Sequence, residues 1–173
     1  MVTLGLDAST TCVGYAFTDD KKILDMGFID IKKEKTPKEK VQKVLEVLNS
    51  IKHIDEVYDI NVEDNLSGFA GGRTSQQVIV KLAKFNAILC FMLEEMFDYE
   101  VNSINPMTAR KCVFGKARVK GVKAKDFVKE QIEKMYNTKK WCKKTKTGLW
   151  DKRNIDAYDG LVMSLFEKIE KKA

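Results

Sequence analysis

Four acidic residues of this chain have the types and positions that a metal centre needs: Asp7, Glu63, Asp156 and Asp159. Asp7 and Glu63 each end an apolar run of strand length, whereas Asp156 and Asp159 are three residues apart in a segment of helical period. That spacing puts the two aspartates on one face of a helix. Carboxylates that meet at one point repel each other unless cations neutralise them, and Mg²⁺ is the usual hard cation with oxygen ligands. Because paired Mg²⁺ ions support phosphodiester hydrolysis, the four positions predict that chemistry.

The composition indicates one globular domain that spans residues 1–173. Apolar residues make up 44% and charged residues 32% of the 173 positions, and a chain of this length can bury a sizeable core. No signal-peptide pattern opens the sequence. The longest apolar-rich segment, Val78–Leu93, contains Lys81 and Lys84 and is shorter than a bilayer requires. We therefore expect an intracellular, cytoplasmic protein with no membrane contact.

The sulfur and imidazole side chains argue against other kinds of site. The four cysteines have no C-x-x-C spacing, which disfavours zinc and predicts reduced, structural thiols. His53 is the only histidine, and this scarcity argues against Ser–His or Cys–His nucleophilic chemistry.

The charge of the chain is distributed unevenly. Residues 110–153 contain 16 Lys and Arg against four acids, a net charge of +12, whereas the whole chain carries +6 and the remainder therefore −6. This basic segment lies between Glu63 and the pair Asp156 and Asp159. A concentrated basic segment beside an acidic centre predicts a surface that binds a polyanion such as nucleic acid. The alternative is an ordinary lysine-rich, solvated surface.

The elements that must position the acids follow from periodicity and turn signals. Strands are predicted at Val2–Ala8, Cys12–Thr18, Ile23–Ile31, Val57–Glu63 and Tyr99–Ile104. Helices are predicted at about 37–53, 74–97, 106–114, 122–136 and 153–169, with an exposed basic loop at 137–150. Thr36, Pro37 and Glu39 occupy the N-cap, first and third positions of the first helix. The order of elements predicts an α/β fold with a mixed five-stranded sheet flanked by helices.

Three segments of the chain resemble motifs of the ribonuclease H-like nuclease superfamily, and within it the RuvC-type Holliday junction resolvases. Residues 4–16 (LGLDASTTCVGYA) are similar to the first motif, in which an acid ends strand one and a Gly-Tyr pair lies in strand two. Residues 61–64 (NVED) match the second acid, and residues 154–162 (NIDAYDGLV) match the motif of the last helix. The resemblance implies a ribonuclease H-like fold over nearly the whole length.

The resemblance also implies a function and a set of roles. The chain would be a Mg²⁺-dependent endodeoxyribonuclease, a crossover junction endonuclease that cuts Holliday junctions symmetrically as a homodimer. Two Mg²⁺ ions would occupy each active site, with Mn²⁺ as the alternative ion. Asp7 would bridge the two ions, Glu63 and Asp159 would complete their shells, and Asp156 would be a ligand or would orient one.

Residues of the basic segment would then contact DNA. The phosphate contacts predicted from charge and position are Lys111, Arg118, Lys120, Lys123 and Lys125. Trp141 and Trp150 either stack on unpaired bases or anchor their loop to the core. The predicted helix at 74–97 is either buried in the monomer or forms the dimer interface.

The chain departs from the family pattern at two loops. The loop after Glu63 contains extra glycines, and Phe69 or Leu66 would supply the aromatic or apolar wedge that such enzymes insert into a junction. The basic loop 139–146 is longer than bacterial members need, which favours a phage or viral member acting in its host cell.

Three other functions share parts of this pattern. A ribonuclease H-like enzyme would cut RNA–DNA hybrids, and a non-catalytic relative would only bind DNA. The segment 7–11 (DASTT) also resembles the phosphate loop of actin-like ATPases and sugar kinases. Those proteins need a duplicated domain, for which 173 residues leave no room.

Overall fold

A computed structural model describes residues 1–64 and 75–167 of the chain. The strands are β1 (Val2–Ala8), β2 (Cys12–Asp19), β3 (Lys22–Asp30), β4 (Val57–Glu63) and β5 (Asn102–Ile104). The helices are α1 (Pro37–Asn49), α2 (Gln76–Phe97), α3 (Pro106–Phe114), α4 (Ala124–Met135) and α5 (Asn154–Ser164). The strands form one mixed sheet in the order β3-β2-β1-β4-β5. The predicted α/β architecture is therefore confirmed.

The central strand β1 is antiparallel to β2 and parallel to β4. β3 extends the antiparallel side, and β5 extends the parallel side. Leu4, Leu6 and Ala8 of β1 have no exposed surface. A strand that is covered on both faces needs a near-continuous apolar run, and that run is what identifies β1 in the sequence.

Helices cover both faces of the sheet. The side chains of α1 and α2 pack with the apolar residues of β1, β2 and β4 in one core. Helices α3, α4 and α5 enclose a second core on the opposite face. Two glycines let α5 lie directly on the sheet: a Cβ atom at Gly14 would lie 1.7 Å from the carbonyl oxygen of Asp156, and one at Gly5 would lie 2.1 Å from the amide nitrogen of Ser164.

Several predicted boundaries agree with the structure because their signals are local. β1, β4 and α3 have the predicted ends, and the Thr36 side chain caps α1 while Glu39 bonds back to the Thr36 amide. β5 is shorter than the predicted Tyr99–Ile104, because only Asn102–Ile104 pair with β4. Asp98, which precedes the predicted strand, adopts a left-handed conformation (φ 57°) that ends α2.

The last helix ends earlier than predicted. α5 stops at Ser164, and side chains of the sheet bond carbonyl groups that a helix leaves free at its end. The amide of Asn61 donates to the carbonyl of Met163 (3.0 Å), and the hydroxyl of Thr18 donates to the carbonyl of Ser164 (3.1 Å). Ile169, the predicted end of this helix, lies outside the described residues.

Helix α2 has one face in the core and one face on the surface. Phe85, Leu89 and Leu93 are buried against the sheet, whereas Val80 and Phe91 are half exposed. Within the described ranges, α2 is the helix whose length and composition would also allow a membrane span, so the length argument made from the sequence is wrong. Its buried face nevertheless belongs to the same core as the sheet.

Candidate acidic centre and nucleic-acid interface

Neighbouring strand ends bring Asp7 and Glu63 side by side. The parallel register pairs Leu6 with Val62, so the next residues, Asp7 and Glu63, lie side by side near the ends of adjacent strands about 4.8 Å apart. Leu6 and Val62 point into the core beneath α1 and α2. Because successive side chains alternate between faces, Asp7 and Glu63 point to the opposite face, on which α5 lies.

Helix α5 supplies the other two carboxylates. Asp156 lies in its first turn, and its backbone touches Gly14, the residue that pairs with Asp7 across β1 and β2. Asp159 follows one turn later on the same face and is 3% exposed. The positive end of the helix dipole stabilises an acid in the first turn. The glycine contact therefore fixes the helical acids above the end of β1.

The four carboxylates interact electrostatically. Burial, followed by the nearby charges of Glu63, Asp159 and Asp156, holds the pKa of Asp7 well above its usual range. Burial, followed by the charge of Asp159, raises the pKa of Glu63 to about 7. Burial also raises the pKa of Asp159, although Arg110 and Lys125 oppose that effect. The acids that are far apart in sequence thus form one cluster.

Two basic side chains are paired with the helical acids. Arg110 of α3 donates to Asp159 at 3.1 Å, and both side chains are almost fully buried. Lys125 in the first turn of α4 donates to Asp156 at 2.7 Å, and the lysine side chain is mostly exposed. Burial tends to lower the pKa of Lys125, but the hydrogen bond to Asp156 and the charge of the cluster raise it.

Among the described residues, no three His, Cys, Asp or Glu side chains are gathered closely enough to hold a metal ion as they stand. The two ion pairs explain why the carboxylates are not gathered more closely. Arg110 turns Asp159 toward α3, and Lys125 turns Asp156 toward α4. Without a central cation, like-charged carboxylates also gain by pointing apart.

The donor set nevertheless fits divalent cations. Four carboxylates with oxygen donors meet two cationic side chains, which leaves an excess of two negative charges when all are ionised. The raised pKa values of Asp7 and Glu63 are the signature of buried carboxylates whose charge is not fully neutralised. Hard cations such as Mg²⁺ prefer this chemistry, and coordination would require Asp156 and Asp159 to turn from their basic partners.

The predicted phosphate contacts lie on the surface around the ends of α3 and α4. The residues concerned are Lys111, Arg118, Lys120, Lys123 and Lys125, and their side chains reach the surface. Within the described part of the chain, only Lys125 of these five forms an ion pair, and its partner belongs to the acidic cluster. The other four leave their charges available to a polyanion. Phe69, the predicted wedge, and Leu66 lie outside the described residues.

The segment 137–150 is less exposed than predicted. Thr138 is buried, and its hydroxyl bonds the Tyr158 hydroxyl at 2.8 Å. Trp141 and Trp150 pack against the core beneath α4 and α5, with the ring centroid of Trp150 6.3 Å from that of Tyr158. The two tryptophans therefore anchor this segment, in agreement with one of the two interpretations of the sequence. Most of its lysines remain exposed.

Sequence reasoning missed the position of Arg110 in the acidic cluster. In the sequence Arg110 is only one member of a basic stretch, because no local pattern tells an arginine on a surface from one that is folded onto an acid 49 residues away. The helix start at Asn105-Pro106 places Arg110 on α3 but does not fix which face of α3 meets α5.

Comparison with known proteins finds structural but not sequence relatives. No protein-family model and no curated protein matches this chain. RuvC from T. thermophilus in complex with a Holliday junction substrate matches with a TM-score of 0.60 at 12% identity, over 95% of this chain and 90% of that chain. A further Thermus thermophilus RuvC structure matches with a TM-score of 0.58 at 13% identity, with the same coverage of both chains. The structural neighbours confirm the predicted ribonuclease H-like fold.

Proposed function

We propose that this chain is a metal-dependent endonuclease that hydrolyses phosphodiester bonds of branched DNA and resolves four-way junctions. The observation that carries the proposal is the convergence of Asp7, Glu63, Asp156 and Asp159 at one end of the sheet, in a fold shared with a RuvC bound to a Holliday junction substrate. Residues 1–173 would form one nuclease domain, and its place of action would be inside the cell, where such DNA occurs.

The acidic cluster would hold two Mg²⁺ ions, or Mn²⁺ in their place. When bound, such ions activate water and stabilise the charge that develops on the leaving oxygen. Asp7 and Glu63 are suited to shared coordination because they end adjacent strands and point to one face. Asp159 and Asp156 would close the set from α5.

Arg110 and Lys125 have a role that needs no metal. In the folded protein they neutralise part of the cluster, and each lies within hydrogen-bonding distance of a proposed ligand. A phosphate group that approaches the acids would meet the exposed Lys125 first, because Arg110 is buried. Lys125 would thus position the phosphate, whereas Arg110 would neutralise Asp159 until a cation binds it.

The basic residues on the surface near α3 and α4 would bind the DNA backbone. Lys111, Arg118, Lys120 and Lys123 are available for phosphate contacts, which set the position of the duplex without reading its sequence. Phe69 stays a predicted wedge at the branch point.

Symmetric cutting of two strands would require a homodimer. The outer face of α2 supports this part of the proposal, because it exposes several large apolar residues along a 22-residue helix. They are Val78, Val80, Ile88, Phe91 and Met92. An apolar face of this kind is a common interface between identical subunits.

Incubation with four DNA substrates tests the proposal. Four-way junction, flap, RNA–DNA hybrid and linear duplex, each end-labelled, would be exposed to the protein with Mg²⁺, Mn²⁺ or EDTA. We expect paired, symmetric nicks in the junction, dependence on the divalent ion, and an Asp7→Asn variant that binds the junction without cutting it. Cleavage of the hybrid alone would support a ribonuclease H instead, and binding without cleavage under every ion would support the non-catalytic alternative.

A further inference from the structure

The segment 143–150 folds into a short β-hairpin that the proposed function does not yet use. Lys144 and Trp150 form an antiparallel bridge, and the amide of Thr145 donates to the carbonyl of Leu149 at 2.7 Å. The turn closes through a bond from the Gly148 amide to the Thr145 carbonyl, with Gly148 in a left-handed conformation (φ 80°). We call residues 143–150 the basic hairpin.

The basic hairpin is fixed to the helix that carries two of the proposed ligands. Asn154, the first residue of α5, is 2% exposed, and its side chain makes two hydrogen bonds to the backbone of Lys143 (2.9 and 2.8 Å). A buried amide that is satisfied at both ends holds its partners rigidly. Since Asp156 follows Asn154 by two residues, the hairpin and the acidic cluster share one support.

The sheet register places the base of the hairpin near the acidic cluster. Asp7, Gly14 and Phe28 form one row across β1, β2 and β3. The Lys143 ammonium lies 4.7 Å from the centroid of the Phe28 ring and 3.4 Å from the Phe28 carbonyl oxygen. Two strand spacings of about 4.8 Å put the Phe28 backbone roughly 10 Å from that of Asp7.

The hairpin surface is cationic with one large apolar side chain. Residues 143–150 contain three lysines and no acid, and residues 143–149 are all exposed. Lys144 and Lys146 form no ion pair with any residue in the described ranges. Leu149, directly after the turn, is 68% exposed. Lysines bind phosphates, and leucine is one of the apolar side chains that proteins insert between unstacked bases.

We propose that the basic hairpin is a DNA-binding arm, in which Lys144 and Lys146 hold the backbone of a duplex arm and Leu149 enters an unstacked base step at the branch. The proposal rests on the proposed function, because it takes branched DNA as the substrate. It adds a contact surface that is anchored to α5, the helix that carries Asp156 and Asp159.

Binding measurements in EDTA, where no strand is cut, test the arm. The variants are Leu149→Ser and Lys144→Gln/Lys146→Gln. The matched control is Lys22→Gln/Lys52→Gln, which removes two exposed lysines from the opposite end of the sheet. The affinity of each protein for a four-way junction and for a linear duplex is measured by fluorescence anisotropy. In a separate titration, the fluorescence of 2-aminopurine placed at the branch of the junction reports unstacking of that base. Thermal melting checks that each variant is folded.

The two variants should fail in different ways. Lys144→Gln/Lys146→Gln should weaken binding to both DNAs by about tenfold and lower the slope of log K against log salt by about 1.8, because each phosphate contact contributes about 0.9. Leu149→Ser should leave duplex binding unchanged, weaken junction binding about tenfold and lower the rise in 2-aminopurine fluorescence. The control should change each quantity by less than about twofold, well below the effect of a lost contact.

The contrary outcomes are separate for the two proposals. A lysine variant that behaves like its control, or a Leu149→Ser variant with unchanged junction binding and fluorescence, overturns the basic hairpin as a DNA-binding arm. Wild-type protein that binds junction and duplex equally refutes the resolvase proposal, and the lysine comparison on duplex then still decides whether the hairpin binds DNA. Wild-type protein that binds neither DNA overturns both.

Discussion

Replacement of Glu63 by glutamine should stabilise the metal-free protein, and increasingly so as the pH rises above about 4.5. Burial, followed by the charge of Asp159, raises the pKa of Glu63 from 4.5 to about 7. The folded state therefore holds the Glu63 proton more tightly than the unfolded chain does. The resulting loss of stability is absent below the unfolded pKa of 4.5, grows as the pH rises, and is complete above about 7.

The size of the effect follows from the difference in pKa. A difference of about 2.5 corresponds to about 3 kcal/mol, because one pKa unit is worth about 1.4 kcal/mol. The gain in unfolding free energy from Glu63→Gln should grow from about 1 kcal/mol near pH 5 to about 3 kcal/mol near pH 8. Groups whose pKa is lowered, such as Asp151, affect stability only at more acidic pH and do not contribute to this change.

Urea denaturation in EDTA, followed by the fluorescence of the partly buried Trp141 and Trp150, measures this gain. Glu95→Gln is the matched control, since it replaces an exposed glutamate of α2 outside the acidic cluster. Excess Mg²⁺ near pH 8 should stabilise the wild type more than Glu63→Gln. A Glu63→Gln gain that stays constant between about pH 5 and pH 8 would refute the inference that Glu63 shares a buried, uncompensated charge with the acidic cluster.

Three further substitutions test the architecture around the cluster. Gly14→Ala should lower the unfolding free energy by about 3 kcal/mol or more, measured by urea denaturation, because its Cβ would collide with the Asp156 carbonyl. Arg110→Gln should destabilise the metal-free protein by about 3 kcal/mol, since it leaves the buried Asp159 unpaired, and calorimetry should find tighter Mg²⁺ binding. Phe91→Glu should convert the proposed dimer to folded monomer in light scattering, and an unchanged mass would contradict the α2 interface.

The features that could be predicted from sequence are those whose causes lie within a few residues. The capping box of Thr36 and Glu39, the Asn105-Pro106 start of α3 and the apolar runs of β1 and β4 each act locally, and each predicts the observed boundary. The convergence of the four acids was also predictable. When two neighbouring parallel strands each carry an acid near the carboxyl end, the two acids lie at the same edge of the sheet.

The features that escaped prediction depend on contacts between distant segments. α5 ends at Ser164, where its Met163 carbonyl is bonded by Asn61, 102 residues earlier in the chain. Arg110 joins the acidic cluster through a residue 49 positions away. Composition predicts an exposed loop at 137–150, yet a buried Asn154 and two aromatic anchors order it. None of these contacts leaves a periodic trace in the sequence.

The acidic cluster destabilises the folded protein locally, because it buries carboxylates of like charge close together. Asp7 and Glu63 could be neutral side chains without any loss of sheet pairing, and the burial and repulsion that raise their pKa values destabilise the folded protein when both are charged. Arg110 and Lys125 offset only part of that loss. Bound cations, as the proposed function requires, would offset the repulsion between these like charges. The pH dependence of stability, its decrease in Glu63→Gln and the stabilisation by Mg²⁺ are therefore three measurements of one property.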